Sequence, residues 1–467
     1  MTDVRLLSGP DGDLLSGNLR ALLRDPLIFL EQCARDYGDV VPLRFGPKRA
    51  IFVNDPAAME EVLVAQSELF AKPYILRTDR VRVGNGQLGA TGDIARRQRL
   101  AQPAFHRSRL TGYGNGMGAA TERMLATWHD GDTVDVVPAM MRLTLEIVAD
   151  TLFGADVSDD ADGVGAALTV VMDTFMTRLR TLFLVPEVLP TPGNVRLRRA
   201  QRRLDVTMDR IIAQRRASGG DATDLLGLLL HAQAESGGTI TDREIRDQAM
   251  AFFLAGHETV ALALSWTWYL LAQHPEVETT LLTELQTVLG DRAPTPADQP
   301  RLPYAEMVVL EALRFYPPLW TIARVALRTC ALGNYQVPAG TLVLMSPWVT
   351  HRDPRFFDQP EVFNPDRWQG GFAQRLPRYA YFPFGGGPRG CVGRGFAMME
   401  AVLVLATVAQ RFRLAVDPAV AVTPRASITL RPAHGIKVML HQRHLPIRGR
   451  LDGARSPLTD AAGRQRD

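Results

Sequence analysis

One cysteine lies inside a glycine-rich loop, and it is the residue of this chain best suited to chemistry. The loop, residues 384–393, reads Phe-Gly-Gly-Gly-Pro-Arg-Gly-Cys-Val-Gly and leads into an apolar stretch that predicts a helix from Phe396 to Gln410. Glycines at this density allow positive φ angles and the close approach of a flat ligand. The field at a helix N-terminus favours the thiolate of Cys391, which is a strong, soft ligand for iron. We therefore interpret Cys391 as the axial ligand of a haem, with Arg389 placed to reach a haem propionate.

Two other interpretations of this loop compete with the haem site. A lone cysteine is usually a small core residue, and a glycine-rich loop before a helix can hold a phosphate. The loop lacks the Gly-Lys-Ser/Thr sequel of a phosphate-binding loop. No Cys-x-x-Cys-His motif occurs in the chain, so any haem is bound without thioether bonds.

The composition is that of an ordinary soluble globular protein, with 467 residues of which 46% are hydrophobic and 22% charged. A net charge of +3 is too small to suggest a nucleic-acid partner. Cys33, Cys330 and Cys391 are too few for a disulfide scaffold or a four-cysteine zinc site, and they fit a reducing cytosol. Residues 1–17 lack the basic flank and apolar core of a signal peptide or membrane anchor. We therefore expect a cytoplasmic protein.

The longest predicted helix spans residues 241–273 and begins with a capping box at Thr241. Its stretch 250–272 is long and apolar enough to cross a bilayer. His257 and Glu258 lie inside that stretch, where they would be costly in lipid. We therefore predict a buried helix and no transmembrane segment.

Polar residues interrupt the middle of this helix in the order Ala-Gly-His-Glu-Thr, residues 255–259. Gly256 weakens the helix locally and leaves room for a flat cofactor. Thr259 can bond back to the carbonyl of Ala255 and bend the helix, or it can turn its hydroxyl towards a ligand. Glu258 could feed protons from solvent. The plainer alternative is a helix with one polar stripe.

Periodicity and turn residues predict the elements that must position these groups. We predict helices at 25–37, 55–65, 93–105, 134–153, 164–181, 195–216, 224–234 and 304–316, and strands at 40–45, 49–53, 332–337 and 341–345. Residues 76–92 predict a polar loop over the active site. Residues 182–192 are apolar and broken by prolines, which is typical of a substrate entrance, a membrane contact or packed core. Residues 447–467 are polar, and we expect disorder there.

The pattern Phe-x-x-Gly-x-Arg-x-Cys-x-Gly, from Phe384 to Gly393, resembles the haem-binding loop of the cytochrome P-450 family. Three further motifs match that family in order and spacing, namely 255–259, Glu-Ala-Leu-Arg at 311–314, and Phe-Asn-Pro-Asp-Arg-Trp at 363–368. The resemblance covers roughly residues 20–440. It implies a mainly α fold with a small β-rich lobe, in a single domain of residues 1–446.

The resemblance also implies a cofactor, heme b, that is bound non-covalently between two helices. Its implied contacts are Cys391 as the iron ligand, with Arg389, Arg324, Phe384, Gly385 and Gly393 around the ring. The family usually places Trp or His, and Arg four residues later, against a propionate where this chain has Ile94 and Gln98. Arg97 or Arg99 is the candidate replacement, and the alternative for these arginines is a solvated basic face.

The remaining implied roles are structural and substrate-binding. Glu311 and Arg314 share a helix face, and the resemblance implies a buried brace between them and Arg367, in place of a weak exposed ion pair. For His351 we favour a structural hydrogen bond. The implied pocket residues are Phe252, Phe253, Ala255, Leu319, Trp320, Ile322, Ala323 and Ile428.

The implied reaction inserts one oxygen atom from O₂ into an apolar small molecule. Thr259 and Glu258 would deliver the protons that this reaction needs. Electrons would come from separate partners, either a ferredoxin with its reductase or a flavodoxin-type donor. Because the pocket strips are apolar, we expect a terpenoid first and a fatty acid or steroid next. The alternatives are a peroxide-driven haem enzyme and a non-enzymatic haem carrier or sensor.

Overall fold

The structure is a computed structural model that describes residues 8–73, 100–180, 189–218 and 224–443, and these residues are mainly helical. Its α-helices are α1 (Leu19–Arg24), α2 (Pro26–Tyr37), α3 (Pro56–Glu60), α4 (Arg107–Leu125), α5 (Val136–Phe153), α6 (Ala161–Arg180), α7 (Pro192–Ser218), α8 (Leu225–Glu235), α9 (Asp242–Gln273), α10 (Pro275–Val288), α11 (Pro303–Phe315), α12 (Pro347–Thr350), α13 (Phe372–Arg375) and α14 (Arg394–Arg411). A π-helical turn, Glu61–Ala65, extends α3. Short 3-10 helices lie at Ser67–Leu69, Gln102–Phe105, Ser158–Asp160, Pro296–Arg301, Pro365–Gly371 and Gly387–Arg389.

The strands form one larger sheet and three small ones within the described residues. They are β1 (Val40–Phe45), β2 (Lys48–Val53), β3 (Phe70–Ala71), β4 (Thr133–Asp135), β5 (Ile322–Ala326), β6 (Cys330–Leu332), β7 (Tyr335–Val337), β8 (Leu342–Met345), β9 (Phe412–Val416), β10 (Pro424–Ala426), β11 (Leu430–Pro432) and β12 (Lys437–Gln442). The larger sheet has the order β1-β2-β8-β5-β3, with β2 and β8 parallel. The predicted fold class, mainly α with a small β-rich lobe, is confirmed.

Helix α9 runs through the middle of the main hydrophobic core. Thr241 and Glu244 cap it reciprocally, as the capping box predicts. Among the described residues α9 has the length and apolar composition of a membrane span, yet 83% of its most apolar window is buried in the protein. It packs against α5, α11 and α14, so its apolar composition is explained by burial on several sides.

A buried carboxylate ties α11 to the segment that leads to the cysteine loop. Glu311 accepts hydrogen bonds from Arg314 Nε and Nη2, from Arg367 Nε, and from Trp368 Nε1, each at 2.9 Å. The backbone N–H of Asn364 adds a bond of 3.0 Å. Since both Glu311 and Arg314 are fully buried, these contacts fix α11 against residues 364–368.

The β region departs from the sequence expectation at two places. The single strand predicted at 332–337 is wrong, because β6 and β7 form an antiparallel hairpin whose turn needs the positive φ of Gly333 (+54°). The predicted helix 134–153 begins later, because residues up to Asp135 pair with β12 and Asp135 then caps α5. The predicted loop 76–92, most of helix 93–105, residues 182–188 of the apolar loop and the tail 447–467 lie outside the described residues.

Candidate active site

The cysteine loop folds tightly around two glycines with positive φ. The backbone N–H of Cys391 donates to the carbonyl of Phe384 at 2.9 Å, while Gly385 and Gly387 have φ angles of +65° and +64°. A Cβ atom on Gly387 would lie 1.8 Å from the carbonyl oxygen of Leu63. The loop can therefore approach the π-helical turn only because residue 387 lacks a side chain.

Cys391 combines an accessible surface with the electrostatics of a protein interior. Its side chain is exposed, yet burial raises the pKa of its thiol, with the N–H of Gly393 and the guanidinium of Arg394 acting in the opposite direction. Both observations hold together if the thiol faces an enclosed space inside the fold. In such a place an iron cation would be the group that stabilises the thiolate.

The long helix presents one accessible face inside the protein. From residue 248 to residue 271 every residue of α9 is buried except Ala255, Gly256 and Thr259. Their spacing places these three on one side of the helix. We expect Gly256 to leave room for a cofactor, but the space beside it is taken up by α5. A Cβ atom on Gly256 would lie 2.9 Å from Cγ2 of Val148.

An aromatic contact connects this helix to the cysteine loop. The ring of Phe105 lies 5.6 Å from that of Phe252 on α9 and 6.3 Å from that of Phe396 on α14, measured between centroids. A Cβ atom on Gly393 would meet the same ring at 3.6 Å. Sequence reasoning missed Phe105, because this residue lies at the end of a predicted helix and belongs to no motif.

Two of the polar residues in the middle of α9, Glu258 and Thr259, have different hydrogen-bond partners. Thr259 Oγ1 donates to the carbonyl of Ala255 at 2.8 Å. Of the two alternatives for Thr259, this is the bond back to the helix backbone. Glu258 is 4% exposed and its Oε1 accepts from Arg431 Nη2 at 2.7 Å and from Thr429 Oγ1 at 2.5 Å. Glu258 does not itself meet solvent, because these groups enclose its carboxylate. Contact with the surface runs through Arg431, whose Nη1 lies 3.8 Å from the half-exposed Asp173.

Three cations gather where the β lobe meets the cysteine loop. Strand β3 pairs with β5 so that Ala71 opposes Val325, which brings Lys72 next to Arg324. Burial, together with the charges of Arg324 and Arg389, lowers the pKa of Lys72 to about 8. Burial and Arg389 lower the pKa of Arg324 to about 10. Among the residues that the structure describes, no carboxylate forms an ion pair with Arg324.

These features fit a haem. An accessible thiol would supply the axial ligand, the open face of α9 would offer a surface to a flat ring, and the guanidinium of Arg324 would pair with a propionate. Sequence reasoning missed Lys72, because a strand of two residues carries too little pattern to predict its pairing. Arg97 and Arg99, the predicted propionate candidates, lie outside the described residues.

Some of the predicted pocket residues lie beside the cysteine loop, and others pack into the hydrophobic core. Ile322 lies beside the loop, since a Cβ atom on Gly385 would meet its Cδ1 at 3.5 Å. Phe253, in contrast, packs edge-on against Phe153, and the indole of Trp320 donates to the carbonyl of Ser427 at 2.7 Å in a separate core cluster. Leu319 is 39% exposed, and Ala323 and Ile428 are half-buried.

His351 has a structural role. Its Nε2 accepts a hydrogen bond from the backbone N–H of Phe382 at 2.9 Å. Burial, then the charges of Arg314 and Arg352, hold its pKa well below the usual value. A neutral imidazole therefore connects the end of α12 to the segment before the cysteine loop.

Comparison with known proteins gives consistent matches over the whole described fold. The family model "Cytochrome P450" matches residues 8–439. "Cyclooctatin synthase" of Streptomyces melanosporofaciens is 38% identical over 426 residues, covering 90% of this chain and 92% of that protein. "Pentalenene oxygenase" of Streptomyces avermitilis is 35% identical over 433 residues, covering 91% and 95%. A crystal structure of the heme domain of cytochrome P-450DA superposes with a TM-score of 0.84 at 28% identity, covering 94% of this chain and 99% of that one.

Proposed function

We propose that this chain, which belongs to the cytochrome P-450 family and is a monooxygenase, oxidises a terpenoid. The observation that carries the proposal is the accessible thiol of Cys391 in a fold whose central helix opens one apolar face, around Ala255. Similar proteins named pentalenene oxygenase and cyclooctat-9-en-7-ol 5-monooxygenase act, by these names, on an alkene and an unsaturated alcohol. A related substrate class for this chain is consistent with both.

The cofactor in this proposal is heme b, bound without covalent attachment. Cys391 would ligate the iron, Phe384, Gly385 and Gly393 would lie close to the ring, and the propionates would take Arg324, Arg389 and Lys72. When bound, the haem supplies the iron centre at which O₂ is activated with electrons from a separate donor. The protein contributes a thiolate ligand, neutralising cations and exclusion of bulk water.

Proton handling falls to the middle of α9. The hydroxyl of Thr259 can both donate and accept a hydrogen bond, and it lies on the open face of the helix. Release of its bond to Ala255 would let Oγ1 hold a proton towards the reacting centre. Glu258, Arg431 and the half-exposed Asp173 form a series of charged groups from this helix to the surface. We propose that the carboxylate of Glu258 passes protons towards Thr259, while Arg431 orients this carboxylate and stays protonated, because a guanidinium does not release its proton in proteins.

The substrate class follows from the residues around the open face. Phe252, Ala255, Ile322 and Ile428 are apolar, and burying hydrocarbon against such residues gains about 25 cal/mol per Å². A fatty acid ranks below a terpenoid because its carboxylate needs a cation, and Arg324 and Lys72 would be engaged by propionates. A steroid also remains below a terpenoid in this ranking.

The electron donor would be a separate protein, either a ferredoxin with its reductase or a flavodoxin-type protein. All three cysteines are free thiols, which fits a reducing compartment. We therefore propose a cytoplasmic location for the reaction.

A spin-state titration of the haem-loaded protein tests the substrate class. Pentalenene, palmitic acid and erythromycin are the three probes, chosen as a terpene hydrocarbon, a long-chain fatty acid and a polar macrolide. We expect a low-to-high-spin shift with pentalenene at the lowest concentration. Tight binding of erythromycin alone would overturn the terpenoid proposal, and tighter binding of palmitic acid would reverse the ranking. Turnover with NADPH and a ferredoxin system, compared with hydrogen peroxide alone, tests the need for an electron donor.

A further inference from the structure

The turn between β10 and β11 is anchored on both sides. On one side the carbonyl of Ser427 accepts from Trp320 Nε1 at 2.7 Å, and on the other Thr429 Oγ1 donates to Glu258. The N–H of Ser427 bonds across the turn to the carbonyl of Thr429 at 2.9 Å. Ile428 lies between these anchors and is half-buried, while both its neighbours are buried. The position of Ile428 is therefore fixed by contacts that its own side chain does not make.

Arg431 adds a second tie between this hairpin and the long helix. Its Nε and Nη2 lie 2.8 and 2.7 Å from the same Glu258 oxygen that Thr429 contacts. The carbonyl of Leu430, between them in sequence, accepts from Trp266 Nε1 of α9 at 2.9 Å. Hairpin residues 429–431 are thus joined to α9 at three successive positions.

Most of the hydrogen bonds between the hairpin and α9 end on the carboxylate of Glu258. It is almost fully buried, and three donors converge on Oε1. A buried carboxylate with charge-assisted bonds is held firmly, since breaking them leaves buried groups unsatisfied. The residue that precedes Thr259 on α9 is therefore also a fixed point for the turn that carries Ile428.

We propose that Glu258, Thr429 and Arg431 form a clamp that sets the position of Ile428, and that Thr429 and Arg431 are thereby positioning residues for substrate selectivity. This rests on the proposed function, in which Ile428 lines the pocket. Through the clamp, the contour that a substrate meets at Ile428 depends on a side chain of the central helix. Large ligands are sensitive to this contour, and ligands that reach only the iron are not.

Two variants release the clamp without removing Ile428. Thr429→Val keeps the branched shape but loses the hydroxyl, and Arg431→Lys keeps the charge but loses the planar fork. Arg425→Gln is the matched control, because Arg425 lies directly across the hairpin from Arg431 and is exposed. All three are made in the haem-loaded full-length chain.

Hydrogen–deuterium exchange and azole binding are the measurements. We expect Thr429→Val and Arg431→Lys to speed exchange in peptides covering residues 424–432, and to weaken clotrimazole binding several-fold while imidazole binding is unchanged. Arg425→Gln should behave as the unaltered protein in both assays. Clotrimazole serves as a bulky probe and not as a candidate substrate, so the outcome does not depend on having identified the natural substrate.

Two outcomes would overturn the clamp. One is unchanged exchange and unchanged clotrimazole affinity in both variants. The other is unchanged azole binding with hydrogen peroxide release as high as in Thr259→Ala, which would assign Thr429 and Arg431 to proton handling alone. Failure of the unaltered protein to bind imidazole at its haem would instead count against the proposed function, and hydrogen exchange would still test the clamp.

Discussion

The cation cluster predicts that haem binding is linked to a proton at Lys72. In the protein without haem, burial and two guanidinium groups lower the pKa of this lysine from 10.5 to about 8. Two propionates would cancel the repulsion from Arg324 and Arg389 and return the pKa towards its ordinary value. Haem binding should therefore take up one proton between about pH 8 and 10.5.

The size of this effect follows from the shift in pKa. One pKa unit corresponds to about 1.36 kcal/mol. Because burial persists in the haem-loaded protein, a return over about 2.5 units is the upper limit, and it amounts to about 3.4 kcal/mol. Above pH 8 the apoprotein holds a neutral Lys72, whereas the haem-loaded protein still holds a charged one. Haem affinity should consequently fall as the pH rises, by up to about tenfold per pH unit and about 300-fold in all. Below pH 8 the charge is present in both states and the affinity should be level.

Fluorescence quenching of the apoprotein by haemin, followed from pH 7 to pH 10, measures this dependence. Lys72→Met should flatten the alkaline fall, because the linked proton is removed. Lys48→Met, which changes an exposed lysine on β2, is the control and should retain it. An equal alkaline fall in Lys72→Met and the unaltered protein would refute the linkage, and with it the placement of Lys72 beside the propionates.

Three further outcomes follow from the described contacts. Glu311→Ala leaves the buried Arg314 without its carboxylate and should cost about 3–5 kcal/mol in the free energy of unfolding by urea. The control, Glu60→Ala, removes only the exposed partner of Arg378 and should cost under about 1 kcal/mol. Equal losses would show that burial does not strengthen the brace. Thr259→Ala should bind haem and substrate normally but divert NADPH electrons to hydrogen peroxide, and an unaltered product yield per NADPH would exclude the proposed proton role. Gly387→Ala should fail to retain haem, because a Cβ atom cannot fit 1.8 Å from the carbonyl of Leu63, and normal haem content would show that the loop can move.

The local features of the fold could be predicted from the sequence because their causes are local. The capping box at Thr241 depends on residues three apart, and the turn before Gly393 depends on the glycines within one loop. A periodic apolar pattern likewise predicts α14 to within a few residues. Each of these signals is complete within a short segment of chain.

Contacts between distant segments could not be predicted in the same way. Lys72 meets Arg324 only because β3 pairs with β5, and Glu258 meets Arg431 across 173 positions of sequence. The local sequence shows Gly256 only among its helix neighbours, whereas a Cβ atom at this position would point at Val148 of α5. In these cases the partner is chosen by the packing of whole elements, which no single segment encodes.

The carbon monoxide spectrum of the reduced protein tests the central claim, that Cys391 supplies the thiolate ligand of a haem. The unaltered protein should show the red-shifted Soret band that a thiolate ligand gives, and Cys391→Ser should lose it. Cys330→Ser, which changes another free thiol far along the chain in β6, should keep the band. A red-shifted band that persists in Cys391→Ser would contradict the assignment, as would an unaltered protein that shows no such band when loaded with haem.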